Sequence, residues 1–512
     1  MLVSILSLKS TGMEMTNKTS LIARRRFLRM TTGIAALPLT TSIGHAQTTA
    51  PNPASDQAAV PLAERLASYA NGVRYSDFDA ATIERVKSHV IDSIGCAIAA
   101  RDEGPVRISR DIAVTVSDGP STIISTGRRT TPELASFANS AAIRYYDLND
   151  VYVGRAACHP SDSIGACLAV AEAERSSAAD LIAAIVVAYE VNCRLMNAFD
   201  MSARGWDDAT IFSPPAVALS AGKLMKLPLN KLTQAVNLAI NDHIPMGQTR
   251  AQGLSDWKGL ADAEAARNAV FAASLARAGI TGPSPIFEGR KGFFQLVSGP
   301  TDVDVGKFGG GGNRYKIHEC GMKAYPVVVF AQTAVAASIE LAKEVGTLDR
   351  INAIEVATTP RGFQSAGKDP EKWTPKNRDT ADHSLPYIVA RAMFDGDLNN
   401  DSYEPEKFHD PRILAFMGKI SVKEDASFDP PRGSAPPIRI TATLTDGQKI
   451  SRQLDKMPGF AGQPMTCADI ERKFRSNVGK RLSKERTDRI LSTLWSLEQT
   501  PQVSTLLATL TV

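Results

Sequence analysis

The strongest constraint in this 512-residue chain is a series of helix-length apolar segments built largely from small residues. They run over residues 133–145, 163–176, 178–199, 212–224, 229–240 and 261–277, and Ala, Leu, Ile and Val dominate them. Alanine is the best helix former, and small side chains let helix axes approach closely. The pattern predicts packed helices rather than a sheet. Two earlier segments, 59–69 and 78–100, repeat apolar residues at helical spacing, with Asp77 or Asp79 placed to cap the second. Within it, Asp92 reads either as a solvated residue or as a buried carboxylate holding a neighbouring loop.

The grammar changes further along. Residues 351–358 alternate Val and Ile with polar residues, and residues 438–445 read IRITATLT. Asp446-Gly447 is a tight-turn pair, and residues 449–454 return, so a hairpin is expected. The fold class that follows is mainly α with a smaller α+β domain. The expected division is a helical domain over 59–334, an α+β lid over 335–455, and helices within 456–512 that return to the helical domain.

Residues 1–46 have a separate character. Arg24-Arg25-Arg26 leads into the apolar run 33–39, and the segment ends in small residues at Gly44-His45-Ala46. A basic head, a short apolar middle and a small-residue end form an export signal of twin-arginine type rather than a membrane anchor. Residues 47–58 read as a flexible linker. The expected partner here is the twin-arginine export machinery, and the expected location is the periplasm or otherwise outside the cytoplasm. Six Lys or Arg and one Glu lie in residues 1–46, so the chain's net +4 becomes about −1 without them. The basic balance therefore gives no argument for nucleic acid or an anionic membrane. After the leader no stretch looks like a spanning helix.

Six cysteines are spread over the chain with no CxxC pair. Cys96, Cys167 and Cys193 sit in apolar helical patterns and read as buried thiols; Cys158 reads as a wall residue beside His159. There is no GxGxxG, no phosphate loop, no HExxH and no GxSxG. After the leader the histidines are His89, His159, His243, His318, His383 and His409, with no close metal-ligand spacing. No metal and no cofactor are expected.

The chemistry concentrates in a few places. Residues 144–162, RYYDLNDVYVGRAACHPSD, hold Asp147, Asp150, Asp162 and His159. Pro160 suits a first helical turn, whose free N–H groups are a place to hold a carboxylate. A second glycine-punctuated stretch carries His243, Gln248, Arg250, Asp256 and Lys258 at the junction before the helix over 261–277. Lys323 and His383 complete a set, with Asp150, His159, Arg250 and Lys258, in which basic groups outnumber acidic ones. Such a set suits a small polycarboxylate. Arg and Lys hold carboxylates, Lys can steady enolate-like charge, and His exchanges protons near neutral pH.

At these residues the sequence resembles the MmgE/PrpD family and, within it, the 2-methylcitrate dehydratase branch. The resemblance is carried by LNDVY (148–152), HPSDSIGA (159–166), GWDDAT (205–210), QTRAQGLSDWKG (248–259), RNAVFAASLARAGITGP (267–283), FEGRKGFF (287–294) and ADHSLPYIVA (381–390). It implies a large helical domain with an α+β lid, a site between them, a homodimer, and no metal or organic cofactor in most members. It implies Asp150, His159, Lys258 and Lys323 as catalytic residues, with Gln332 matching the dehydratase pattern. Arg250, His243, Gln248, Gln332 and His383 are then expected to bind substrate. One departure stands out: where the family carries a histidine after the KxYP lysine, this chain has Phe330, which cannot transfer a proton, so either His318 or another group replaces it or the chemistry differs. The expected activity is a lyase resembling 2-methylcitrate dehydratase, acting on a small di- or tricarboxylic acid by proton abstraction beside a carboxylate. The alternatives are a decarboxylase or epimerase of a related acid, and a non-catalytic periplasmic carboxylate-binding protein.

Overall fold

The computed structural model describes residues 60–511, so the expected export signal and the expected linker lie outside the described residues. The fold class is as expected: mostly helical, with a smaller sheet-containing part toward the C-terminus. The helices at Pro132–Arg144, Asp162–Ala173, Ala178–Ala198, Ser213–Leu224, Leu229–Asn241 and Trp257–Ala278 each match a small-residue segment of the sequence. They share one apolar core with Leu62–Gly72, Ala80–Ala100 and the C-terminal helices Cys467–Val478 and Lys484–Trp495. Asp79 caps the Ala80–Ala100 helix by accepting from the Thr82 N–H. Close packing is enforced at Gly165, where a Cβ would fall 2.7 Å from the Ser140 backbone nitrogen. Only glycine lets the Asp162–Ala173 helix approach the Pro132–Arg144 helix this closely, and that approach brings Arg144 beside Asp162.

A second apolar core runs from Val327 to Leu444. Its sheet has four strands in the order Ile420–Glu424, Ile351–Thr358, Ile438–Leu444, Lys449–Leu454. The first pair is parallel and the others antiparallel, including the expected hairpin. Helices Gln332–Val345 and Leu385–Asp395 share this core with the sheet. The two cores meet at a small apolar joint of Val151, Val153, Val329, Ala435, Met457 and Phe460. There the Gly433 N–H donates to the Val153 carbonyl at 2.7 Å. Gly433 has φ +77° and its missing Cβ would meet the Glu319 carbonyl at 2.8 Å, so a side chain would part the joint.

Several local expectations need correction. The helix expected to start at Ala261 starts at Trp257, which puts Lys258 in its first turn rather than in a loop. The segment from Val327 begins as a turn, Val329–Ala331, and becomes α-helical at Gln332, because Pro326 and three valines disfavour earlier helix. Residues 368–379 contain the turn Pro370–Trp373 and the start of a short helix, Arg378–Ala381. Asp92 takes the buried alternative: it pairs with Lys473 at 2.5 Å, and Lys473 also donates to the Leu148 carbonyl. That pair fastens the C-terminal helix to the segment leading to Asp150. Among the described residues no helix is long and apolar enough to cross a membrane.

Candidate active site

Four segments distant in sequence meet at one carboxylate. Arg144 ends the Pro132–Arg144 helix, and the chain then turns through Asp147 with φ +51°, a left-handed conformation that Asp tolerates better than most residues. This kink directs the Asp147 carboxylate at Arg144, whose Nη1 is 2.6 Å from Oδ1. Lys323 donates to the same oxygen and, at 3.0 Å, to the Asp147 carbonyl. Lys258 Nζ lies 3.9 Å from Oδ2, and the two imidazoles approach from either side: His159 Nε2 at 3.8 Å and His383 Nε2 at 3.9 Å.

These groups face or adjoin a cavity of about 480 Å³. Its floor is Arg144, Asp147, His159, Lys323 and His383; Arg250 and Phe330 contribute walls. Residues 200–209 of the helical part and the Pro360–Ala366 helix of the sheet-containing part, the expected lid, line its more exposed side, its mouth.

The electrostatics follow from burial. Burial raises the Asp147 carboxyl, but Arg144, Lys323 and Lys258 outweigh it and hold the group well below the usual carboxylate range. Burial lowers the Lys323 ammonium to about 8 despite the attraction of Asp147. Burial, reinforced by Arg144 and Lys323, holds the His159 imidazole well below its ordinary value, so it is neutral at pH 7. Its tautomer is set by geometry. Nδ1 lies 2.7 Å from the Asp150 carbonyl, which only accepts, so Nδ1 carries the hydrogen and Nε2 presents a lone pair. His383 is arranged alike: burial, then Lys258, lowers it to about 4, and its Nδ1 is 2.6 Å from Asp382 Oδ1. Lys258 Nζ binds both oxygens of Asp382, at 2.9 and 2.7 Å.

Asp147, Asp382 and His383 offer three ligand atoms within 4.8 Å of one another, a spacing that suits a metal ion. Yet Lys323 and Lys258 already lie on the two carboxylates, and their ammonium groups oppose a divalent cation there.

The expected site residues divide into three groups. His159, Lys323, His383 and Arg250 line the cavity, and Lys258 lies directly behind it. Asp150 is displaced from the expected role: its carboxylate is fully buried away from the cavity, 3.0 Å from His89 Nδ1, and accepts from the Ser161 N–H at 3.0 Å. The helix N-terminus expected to hold a ligand carboxylate is thus engaged by the protein's own acid, while the Asp150 carbonyl orients His159. Arg250 reaches the cavity with its donors committed: to Asp207 at 3.1 Å, Asp262 at 3.3 Å and the Lys258 carbonyl at 3.0 Å. That positions Lys258 more than it offers a hand to substrate.

The third group lies elsewhere. Gln332 is fully buried and binds the backbone of the Lys323 loop, accepting from the Ala324 and Tyr325 N–H and donating to the Tyr325 and Val327 carbonyls. His243 contacts Asn268 at 3.3 Å and Gln248 contacts Gln252 at 3.1 Å; neither lines the cavity. His318 contacts Thr82 at 3.0 Å and does not replace the histidine missing at Phe330, which does face the cavity. Sequence reasoning passed over Arg144, Asp147 and Asp382 as site residues. The available signals were the placement of Asp147 in the acidic stretch and of Asp382 beside His383.

Comparison with known proteins agrees with this architecture. The model of the MmgE/PrpD N-terminal domain matches residues 64–306, and that of the MmgE/PrpD C-terminal domain matches residues 325–499. Similar proteins include the cis-aconitate decarboxylase-like protein oryM of Aspergillus oryzae, 26% identical over 86% of this chain and 96% of its own length. The 2-methylcitrate dehydratase of Cupriavidus necator is 27% identical over 88% and 95%, and the cis-aconitate decarboxylase of Mus musculus 23% over 87% and 92%. With both domain models matched in order around a cavity built from both parts, the chain belongs to the MmgE/PrpD family.

Proposed function

We propose that this protein is a lyase acting on a small tricarboxylic acid, of the dehydratase type, through proton removal beside a carboxylate. The observation that carries the reading is the His159 lone pair at Nε2, in a cavity that Arg144 and Lys323 also line. His159 takes the proton from the carbon next to a carboxylate. The electron pair left behind spreads into that carboxylate, whose growing charge the nearby Arg144 and Lys323 cations offset. The pair then forms the carbon–carbon double bond as the neighbouring C–O bond breaks. Lys323, lowered to about 8, is matched to give its proton to the departing hydroxyl, which leaves as water. Substrate carboxylates also counter the cations that depress His159, so the base strengthens when substrate is bound.

A decarboxylase is the second reading, and Phe330 favours it. An apolar ring in the wall removes one proton-transfer group, and loss of CO2 needs only charge dispersal and one proton delivered to carbon. The relatives named above include both activities.

The test is mass spectrometry of small polycarboxylates, including 2-methylcitrate, citrate and cis-aconitate, incubated with the protein in D2O. Loss of water supports the dehydratase, loss of CO2 the decarboxylase, and either must vanish in His159→Ala. Binding without mass change or deuterium uptake across the panel would overturn the enzymatic reading in favour of a carboxylate-binding protein.

A further inference from the structure

Three arginines line the cavity: Arg144, Arg250 and Arg361. The first two are tied down by short contacts to buried acids. Arg361 differs. It stands on the Pro360–Ala366 helix of the lid, which also presents Gln364 and Ser365 to the cavity. Its side chain is 39% exposed, and its acidic partners are less buried than those of Arg144 and Arg250: Asp200, which accepts a long hydrogen bond at 3.4 Å, and Asp208 at 3.8 Å. Both acids belong to the helical part, so these contacts span the mouth from lid to body. Exposed pairs of such length contribute little and are readily exchanged.

The seat of the lid helix is well defined. Thr359 caps it by accepting from the Gly362 N–H at 3.0 Å. A Cβ on Gly362 would meet Thr358 Oγ1 at 2.4 Å and Phe330 Cβ at 3.3 Å. Phe330 therefore both lines the cavity and props the helix that bears Arg361.

We infer that Arg361 is the specificity-determining clamp for the substrate's distal carboxylate, exchanging its contacts with Asp200 and Asp208 for the substrate's third carboxylate. The inference rests on the lyase reading and deepens it by assigning the group that distinguishes tricarboxylates from dicarboxylates. A planar guanidinium offers paired donors to one carboxylate, which two separated acids at the mouth do not satisfy together. Asp200 is then a competitor for Arg361, and its removal strengthens substrate binding.

The experiment compares citrate with citramalate and cis-aconitate with citraconate, pairs in which a carboxymethyl group becomes methyl. In Arg361→Gln, KM for the tricarboxylate rises ten- to a hundred-fold with kcat within about three-fold, while constants for the dicarboxylate are unchanged. Arg361→Lys recovers part of the loss, and Asp200→Asn lowers KM for the tricarboxylate. Unchanged KM in Arg361→Gln, or equal losses within each pair, would overturn the clamp and leave the lyase reading intact. If the wild-type protein turns over none of the four acids, calorimetry decides the clamp, and the lyase reading stands or falls on the wider panel that includes 2-methylcitrate. A tenfold or greater loss of citrate affinity in Arg361→Gln, with citramalate unaffected, sustains it; equal affinities in the two proteins overturn it.

Discussion

Asp147→Asn isolates the charge on which the site is centred. Asparagine keeps the shape of the side chain and tolerates the left-handed backbone at φ +51°, so the change removes charge without adding strain. Its effect falls unequally on the neighbours. Arg144 keeps Asp162 at 3.6 Å and Asp262 at 3.8 Å, and Lys258 keeps Asp382 at 2.7 Å. Lys323 keeps only neutral acceptors, the backbone carbonyl of residue 147 at 3.0 Å and the new amide oxygen, and loses its one carboxylate partner. Removing one partner of a buried ion pair costs about 3–5 kcal/mol, because a charge is left buried without compensation. The cost depends on Lys323 being protonated. In the folded wild type its value is about 8, below the ordinary 10.5, so the unfolded chain holds this proton to higher pH than the folded one. By linkage, wild-type stability rises with pH between these two values, and the Asp147–Lys323 attraction is present in full only below about pH 8. In Asp147→Asn the lysine sheds its proton earlier still. The deficit of the variant is therefore largest at about pH 6 and shrinks toward pH 9. Urea titrations followed by tryptophan fluorescence, at several pH values in that window, measure it. A deficit below about 1 kcal/mol at the acidic end, the size of a surface pair, would refute the reasoning, as would one that does not change with pH.

Two further outcomes follow from burial. Gln332→Ala strands the backbone groups of the Lys323 loop and lowers stability by about 2–4 kcal/mol, read by thermal melting, with a larger fall in turnover than in substrate affinity because Lys323 is no longer fixed. Thiol titration of the native protein with a fast chromogenic disulfide labels one cysteine promptly, Cys467, which is exposed, while Cys96, Cys158, Cys167, Cys193 and Cys320 react only on unfolding. Prompt labelling of Cys158 would contradict its assignment as a wall residue, since burial raises its thiol above the reactive range.

What was legible in the sequence is local. Helix-length runs of small residues specified the helical part, and the IRITATLT–DG pair specified the hairpin, because both signals lie within one segment. His159, Lys323 and His383 were recognisable because each sits in a distinctive short motif. The strand Ile420–Glu424 was not, since three of its five residues are exposed and no apolar alternation marks it. The acids of residues 144–162 show the limit most clearly. Asp147 and Asp150 are three residues apart in one polar stretch, and composition makes them equivalent. A left-handed residue at Asp147 and the start of a strand at Asp150 send one carboxylate to the cavity and the other to His89.

Arg144 reads as an ordinary basic residue ending a helix, and Arg361 as an ordinary surface residue. Their difference arises only when distant segments come together: one arginine then faces three fully buried acids, and the other faces two less buried ones. The same convergence gives Phe330 its meaning. As a departure from motif it signals a lost proton-transfer group. In the fold it is also the support beneath the lid helix, so restoring a histidine there changes the seat of Arg361 along with the chemistry of the wall. On the proposed reading, catalysis and carboxylate selection are coupled at this position, and a substitution of Phe330 has to be read in both kcat and KM.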